Sequence, residues 1–241
     1  MRDVVIIKVG TTFPATALQF GDFDAWTSAA MGADVAVSVV DAEHGEQPPA
    51  PSQCAGVVIT GSHSMVSDEL PWSLALEDWL RDALAVGTPI LGVCYGHQLL
   101  AKAAGGEVGY HPEGKEIGTV SVELLAEAEN DPLFAGLPSP FLAQVTHSQT
   151  VLRLPPGATR LARNDFEPNQ AYRLGETAYG VQFHPEYSVD IMRSYIEQQA
   201  EPLTAAGRDV DALLAAVDET PVAAQLLTRF VALLRARQTA S

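Results

Sequence analysis

The sequence predicts an α/β fold, a three-layer sandwich whose mainly parallel central sheet has helices on both faces and a small antiparallel section beside it. Over roughly the first hundred residues, short runs rich in Val and Ile alternate with helical patterns, which is typical of a covered parallel sheet. Further along, several strand-like runs follow one another without helices, which indicates antiparallel pairing. From about Ser188 onward the pattern is helical.

Four short apolar runs predict the parallel strands. They cover residues 4–9, 34–39, 56–60 and 89–93. Between the last two, residues 73–86 repeat apolar side chains at helical spacing, and Gly87 and Pro89 end that helix. Another helix follows the fourth strand and is expected to stop at Gly105 and Gly106.

Five consecutive runs predict the antiparallel section. They cover residues 117–124, 141–145, 159–162, 171–174 and 178–183. Helices are then predicted over residues 189–199, 210–217 and 221–237. We therefore expect one domain over residues 1–190 and a helical C-terminal extension over residues 191–241 that packs on the same domain.

Composition and charge indicate an ordinary globular protein and exclude several classes of partner. The chain has 241 residues, of which 47% are hydrophobic and 18% charged, enough for one large core. With 14 basic and 30 acidic residues, its formal net charge of −16 predicts no nucleic acid and no membrane partner. No stretch approaches the ~18 to 20 apolar residues that cross a bilayer, and the first residues predict a strand.

Cysteine and histidine usage bears on compartment and metals. Cys54 and Cys94 are the only cysteines, too few for a disulfide-stapled secreted fold, so the expected location is cytoplasmic. The six histidines are scattered without metal-ligand spacing. We therefore expect no metal and no other cofactor.

Cys94 lies between Gly92 and Gly96, directly after the fourth predicted strand. A side chain at the tip of a tight strand-to-helix turn is exposed at the amino end of a helix, whose partial positive charge favours a thiolate. The two glycines suit this turn because residues without a Cβ let the helix pack close to the strand. The pattern predicts an exposed nucleophile, although alone it is also typical of a buried structural cysteine.

A histidine and a carboxylate follow the last predicted strand, in the run His184-Pro185-Glu186. Pro185 fixes its own φ and restrains His184 to extended geometry, so both polar groups leave the strand end in set directions. A cysteine nucleophile needs a base, and the base needs an orienting acceptor. His184 alone would be expected to be structural, but with the cysteine turn it predicts a triad of Cys94, His184 and Glu186.

The two motifs closely resemble those of the class I, or triad, glutamine amidotransferases, in the right order over roughly residues 1–190. They are similar in particular to stand-alone proteins like the glutaminase domain of GMP synthase. The resemblance implies a flavodoxin-like fold in which Cys94 attacks the side-chain amide carbon of L-glutamine. By the same resemblance, His184 shuttles the proton to departing ammonia and Glu186 orients His184. A γ-glutamyl thioester is then hydrolysed to glutamate.

The resemblance also implies an oxyanion site in the loop that begins at Gly61, after the third predicted strand. Its donors would be the backbone amides of Ser62 and Tyr95, which must point at the developing negative charge. This chain has Ser62 and His63 where members of the family often have glycine and proline. Without the other motifs, this segment would indicate a plain loop.

Substrate contacts are implied at two further places. Gln98 lies one helical turn after Cys94, which places its amide on the face of the nucleophile, and this position contacts substrate in the family. A substrate-binding loop of the family aligns with Thr146, His147, Ser148 and Gln149. His147 is expected to be structural rather than an alternative base.

The fate of the ammonia is left open by the sequence. The chain has neither a Gly-x-x-x-x-Gly-Lys-Ser/Thr phosphate loop nor a Ser-Gly-Gly-x-Asp-Ser pyrophosphatase motif, so we expect any synthase to be a separate chain. The candidate functions are a glutaminase subunit that serves an acceptor-activating partner, an independent hydrolase or peptidase of γ-glutamyl compounds, and a catalytically weak regulatory or binding module. The intact triad argues against the third.

Overall fold

A computed structural model describes residues 3–240. Met1 and Arg2, at the start of the predicted 1–190 domain, and Ser241, at the end of the predicted 191–241 extension, lie outside the described residues. The strands are β1 (Val4–Lys8), β2 (Val37–Asp41), β3 (Gly56–Ile59), β4 (Ile90–Val93), β5 (Glu107–Tyr110), β6 (Glu116–Leu124), β7 (Phe141–His147), β8 (Gln149–Arg153), β9 (Ala158–Arg163), β10 (Ala171–Leu174) and β11 (Ala178–Val181). The helices are α1 (Pro14–Phe20), α2 (Phe23–Met31), α3 (Pro71–Ala85), α4 (Tyr95–Ala103), α5 (Val189–Gln198), α6 (Ala200–Ala205), α7 (Val210–Ala215) and α8 (Pro221–Ala240).

Within residues 3–240, a nine-stranded sheet has the order β2-β1-β3-β4-β11-β10-β9-β6-β7. Its pairings are parallel from β2 through β11. From β11 to β7 they are antiparallel. Strands β5 and β8 form a separate antiparallel pair. The α/β class, with a large mostly parallel sheet, is confirmed.

Side chains of β1 show how the sheet is covered on both faces. Val4 and Ile6 are buried in one cluster with apolar side chains of α2 and α8. Val5 and Ile7 are buried in a second cluster with side chains of α3 and α4. Since successive residues of a strand point to opposite faces, the continuous Val and Ile runs are those of a sheet buried on both sides.

The C-terminal helices contribute to buried clusters. Leu226, Leu227 and Phe230 of α8 are buried against the sheet. Helix α5 contributes Ile191 and Tyr195 to a further cluster beside α2 and β6. The division of the chain at residue 190 stays a prediction. Among the described residues, none of the helices is both long enough and apolar enough to cross a bilayer.

Several predicted boundaries are wrong. The strand predicted over residues 34–39 lies later, at β2, because Val4 pairs with Val37 and Lys8 with Asp41. The expected 146–149 loop is instead the end of β7 and the start of β8, with a single residue between them. The sequence patterns predicted neither β5 and β8 nor the helices α1, α2 and α6, since short amphipathic segments give weak periodic signals.

Candidate active site

Cys94 occupies a sharp turn between β4 and α4. Its backbone lies at φ 49° and ψ −97°, a region that residues with a side chain rarely adopt. Its amide donates to the carbonyl of Val181 over 2.9 Å, and the amide of Gly96 donates to the carbonyl of Thr60 over 3.3 Å. These bonds fix both sides of the turn to neighbouring strand ends.

The two glycines around Cys94 are required by close backbone packing. A Cβ on Gly92 would lie 2.4 Å from the carbonyl oxygen of Gly96. A Cβ on Gly96 would lie 2.6 Å from the carbonyl oxygen of Ile59. The spacing of the motif therefore has a steric cause at both positions.

The thiol of Cys94 is buried, with 6% of the residue exposed, so the expectation of an exposed side chain is wrong. Its Sγ lies 3.8 Å from the carbonyl oxygen of Thr146, at the end of β7. The strand ends that surround the turn cover the side chain and leave it at a cavity wall. The thiol is reached through that cavity.

His184 and Glu186 form a buried pair. The imidazole Nδ1 lies 2.8 Å from the carboxylate Oε1 of Glu186, and both side chains are almost fully buried. Burial alone would lower the pKa of His184, but the negative charges of Glu186 and Cys94 outweigh it and raise that pKa to about 10. The two negative charges therefore favour the protonated form of the imidazole.

The aromatic ring of Tyr187 stacks on the imidazole of His184. The ring centroids are 4.0 Å apart and the planes are inclined by 24°. A Cβ on Gly61 would come within 3.0 Å of Cε1 of the same imidazole. The position of His184 is thus fixed by the hydrogen bond to Glu186, the stacking on Tyr187 and the close approach of Gly61, which has no Cβ. The sequence reasoning missed Tyr187, although it directly follows the His-Pro-Glu run.

A cavity of about 230 Å³ brings most of the predicted site residues together. Of those residues, its lining contains Cys94, His184, Ser62, Tyr95, Gln98, Thr146, His147, Ser148 and Gln149. Glu186 lies behind His184, and Gly61 also stands outside the lining. Residues that the sequence did not single out as site residues complete the wall: Phe13, Phe23, His63, Ser64, Met65, Lys115, Tyr187, Tyr195 and Gln199.

The two implied oxyanion donors lie on the cavity wall. Ser62 follows β3, and Tyr95 is the first residue of α4. Within residues 3–240, neither backbone amide has a hydrogen-bond acceptor. The side-chain hydroxyl of Tyr95 is not part of this arrangement, because it lies 2.7 Å from the Ser73 hydroxyl. Two amides at the end of a strand and the start of a helix can bind an anion in this geometry.

Gln98 links α4 to β8 and to the residue that follows β11. Its Nε2 donates to the carbonyl of Gln149 over 2.7 Å and to Oε1 of Gln182 over 2.9 Å. Gln149 in turn donates from Nε2 to the Ser67 hydroxyl over 2.5 Å. The side chain of Gln98 therefore holds the β8 end of the cavity in place as well as lining it.

Both ring nitrogens of His147 are engaged away from Cys94. Nδ1 lies 2.9 Å from the carbonyl oxygen of Gln149, and Nε2 lies 2.8 Å from Oε2 of Glu116. Glu116 also accepts from Asn164 and Gln170 in the same buried network. A nitrogen so occupied is not positioned to take a proton from the Cys94 thiol.

No group of three or more His, Cys, Asp or Glu side chains among residues 3–240 is arranged to hold a metal ion. The absence of metal and cofactor stays a prediction. Residues 25–200 match the family model for glutamine amidotransferase class-I. The chain belongs to this family.

This class I amidotransferase is similar to proteins of two named activities. It is 44% identical over 113 residues to a subunit of the glutamine-hydrolysing GMP synthase of Pyrococcus furiosus, covering 44% of this chain and 58% of that one. It is 30% identical over 162 residues to γ-glutamyl peptidase 4 of Arabidopsis thaliana, covering 66% of this chain and 64% of that one. The amidotransferase thus spans less than two thirds of the length of these curated relatives.

A crystal structure of a glutamine amidotransferase from Thermotoga maritima has the same architecture. It matches this amidotransferase with a TM-score of 0.76 at 25% identity. The match covers 97% of this chain and 98% of that chain. The family resemblance expected from the sequence motifs is confirmed.

Proposed function

We propose that the protein hydrolyses the side-chain amide of L-glutamine through a γ-glutamyl thioester on Cys94, releasing glutamate and ammonia. The observation that carries this proposal is the common cavity of Cys94 and His184, with Glu186 bonded to the far side of the imidazole. A nucleophile, its base and an orienting carboxylate are the parts that acyl transfer requires. Membership of the amidotransferase family supports the same chemistry.

In the proposed reaction, the thiolate of Cys94 adds to the amide carbon while imidazolium His184 faces the departing nitrogen. The amides of Ser62 and Tyr95 bind the negative oxygen of the tetrahedral intermediate. Its collapse breaks the carbon–nitrogen bond, and His184 gives its proton to the leaving ammonia. Neutral His184 then takes a proton from water, whose oxygen attacks the thioester and frees Cys94. Water is the only co-reactant, and the proposed location remains the cytoplasm.

The released ammonia is proposed to pass to a synthase on a separate chain. The similarity to one subunit of a GMP synthase supports a partner of this kind. The described cavity residues contain no second reactive centre that would consume ammonia.

A stand-alone γ-glutamyl hydrolase or peptidase is the second candidate. The cavity of about 230 Å³ is also lined by Tyr195 and Gln199, from the C-terminal part of the chain, and we propose that this space accepts a leaving amine larger than ammonia. The similarity to a γ-glutamyl peptidase favours the same substrate class.

One comparison of substrates tests both candidates. Purified protein is assayed for glutamate release from glutamine and from γ-glutamyl dipeptides, with Cys94→Ala as the inactive form and Cys54→Ala as the matched cysteine control. Turnover retained by Cys94→Ala would refute the thioester mechanism. Rapid cleavage of dipeptides with little of glutamine favours the peptidase, whereas slow glutamine hydrolysis that rises with a synthase favours the glutaminase subunit.

The nucleophile can be identified without turnover. An electrophilic glutamine analogue is expected to label Cys94 and not Cys54 at neutral pH, with the site located by peptide mapping. Equal labelling of the two cysteines contradicts the assignment.

A further inference from the structure

Lys115 places a positive charge in the wall of the active-site cavity. It directly precedes β6 and is the only Lys or Arg among the described residues that line this cavity. Its Nζ donates a hydrogen bond to Oε1 of Gln199, whose own Nε2 donates to the carbonyl of Tyr195 over 2.9 Å. The ammonium is therefore held at a defined position by a neutral partner.

Lys115 differs from the other two lysines in its lack of an acidic partner. Lys8 pairs with Asp22 at 2.8 Å, and Lys102 pairs with Glu69 at 3.0 Å. For Lys115, no carboxylate among residues 3–240 lies within ion-pair distance of Nζ, although the chain carries 30 acidic residues. A partly buried ammonium without a carboxylate partner is costly, which favours a role in binding an anion.

Lys115 interacts electrostatically with other residues that line the cavity. Burial lowers the pKa of Lys115, and the negative charge of Cys94 acts in the opposite direction. Burial and the charge of Lys115 together lower the pKa of His63, another cavity residue, to about 4. Lys115 therefore interacts electrostatically with two other residues of the cavity lining, Cys94 and His63.

We propose that Lys115 binds a carboxylate of the γ-glutamyl substrate and so selects for acidic amides at this site. The inference rests on the proposed γ-glutamyl chemistry. Every γ-glutamyl compound with an unmodified α-carboxyl carries one such group, and a γ-glutamyl amino acid carries a second on its leaving amine. A lysine ammonium has three donors, of which one is used on Gln199, and Lys115 is the only Lys or Arg among the described residues that line the cavity.

Paired substrates distinguish the two carboxylates. Lys115→Met is compared with wild type on γ-Glu-Gly against γ-Glu-glycinamide, and on glutamine against glutamine α-amide. Loss of about tenfold or more in kcat/KM only for the acidic member of one pair supports the proposal and identifies the carboxylate. Equal losses on both members of each pair, or no loss at all, overturn it.

Two variants control this measurement. Lys115→Arg keeps the charge and is expected to retain the preference for the acidic substrate. Arg153→Met removes one positive charge at an exposed pair with Glu107, outside the cavity lining, and is expected to leave the preference unchanged. If Lys115→Met does not fold, Lys115→Gln takes its place.

Alkylation of Cys94 tests the same charge without any turnover. Iodoacetate and iodoacetamide are of similar size, but only the first is an anion. In Lys115→Met, the ratio of iodoacetate to iodoacetamide rates should fall by about tenfold, while the iodoacetamide rate is maintained. An unchanged ratio overturns the proposal. A fallen ratio in a protein that cleaves no γ-glutamyl compound would instead refute the proposed function and keep the anion site.

Discussion

The backbone amide of Cys94 donates a hydrogen bond of 2.9 Å to the carbonyl oxygen of Val181. This bond continues the parallel pairing of β4 with β11, in which Val93 lies opposite Val181. His184 follows within the next turn of chain, where its amide donates to the carbonyl of Gln144 over 2.8 Å. Sheet register therefore brings Cys94 and His184, the proposed nucleophile and base, to the same cavity although they are far apart in sequence.

Replacing the orienting carboxylate is expected to impair acid–base chemistry. Glu186→Gln keeps the side-chain size but removes the negative charge, so the pKa of His184 should fall from about 10. We expect kcat to fall by about 10²-fold or more, within the range attributed to general acid–base catalysis. NMR titration of the imidazole and steady-state kinetics measure the two effects.

The control for this charge change is Glu123→Gln, at an exposed pair with Arg163. It should leave both quantities unchanged. An unaltered His184 titration in Glu186→Gln would contradict the pairing.

The ring of Tyr187 is expected to position the imidazole. Tyr187→Phe keeps the ring that stacks on His184 and should retain most of kcat. Tyr187→Leu loses an aromatic contact of about 0.5–1.5 kcal/mol, which corresponds to a roughly 2- to 10-fold drop in kcat. Steady-state kinetics measure kcat of the two variants at equal folded fraction. Equal kcat in both variants would show that the ring of Tyr187 does not position His184.

Close packing at the cysteine turn predicts a steric effect. In Gly96→Ala, the new Cβ would lie 2.6 Å from the carbonyl oxygen of Ile59, which is backbone and must shift. We expect the free energy of unfolding to fall by about 1–3 kcal/mol and kcat to fall in the protein that remains folded.

The matched variant is Gly207→Ala, where no atom lies within 4 Å of the added Cβ but φ is +77°. It should lose stability through backbone strain alone and keep its kcat. A similar loss of kcat in both variants would indicate a general rather than a local effect.

Acid sensitivity is expected from a buried histidine. Burial lowers the pKa of His97 to about 3, against about 6.5 in an unfolded chain. Below pH ~6.5 the unfolded state therefore binds one more proton at this residue, and stability falls as pH decreases towards about 3. The contribution of His97 to this slope is at most about 1.4 kcal/mol per pH unit.

Urea unfolding at pH 7 and pH 5 checks the sign of this effect. The difference between the two pH values should be smaller in His97→Leu than in wild type, whatever the absolute stability of the variant. A variant at the exposed His44 should not show this flattening. Identical pH dependence in wild type and His97→Leu would show that His97 is not held neutral by the fold.

Sequence patterns predicted the features that depend on residues close together in the sequence. The Val and Ile runs indicated the parallel strands, and the spacing of Gly92 and Gly96 indicated the turn that their close packing requires. The triad of Cys94, His184 and Glu186 stays a prediction, made from two short motifs because each role needs a particular functional group. The structure pairs His184 with Glu186 and places Cys94 and His184 in the lining of one cavity.

The features that depend on tertiary packing were not predicted. Lys115 reaches the cavity because β6 pairs with β7, and Tyr195 reaches it because α5 packs beside α2 and β6. Neither the strand pairing nor the helix packing produces a pattern in the local sequence, although Tyr195 and Gln199 lie one helical turn apart. The shift of β2 has a similar origin, since its ends are set by pairing with β1.

The positive φ of Cys94 means that its neighbours hold the turn between β4 and α4 in a strained conformation. A conformation of this kind costs on the order of 1–3 kcal/mol and persists only where the surroundings enforce it. Two hydrogen bonds enforce it: the amide of Gly96 donates to the carbonyl of Thr60, just after β3, and the amide of Cys94 donates to the carbonyl of Val181 in β11. If either strand end loosens, the turn can relax before the sheet unfolds, so we expect mild denaturant to lower the reactivity of Cys94 while the fold is retained.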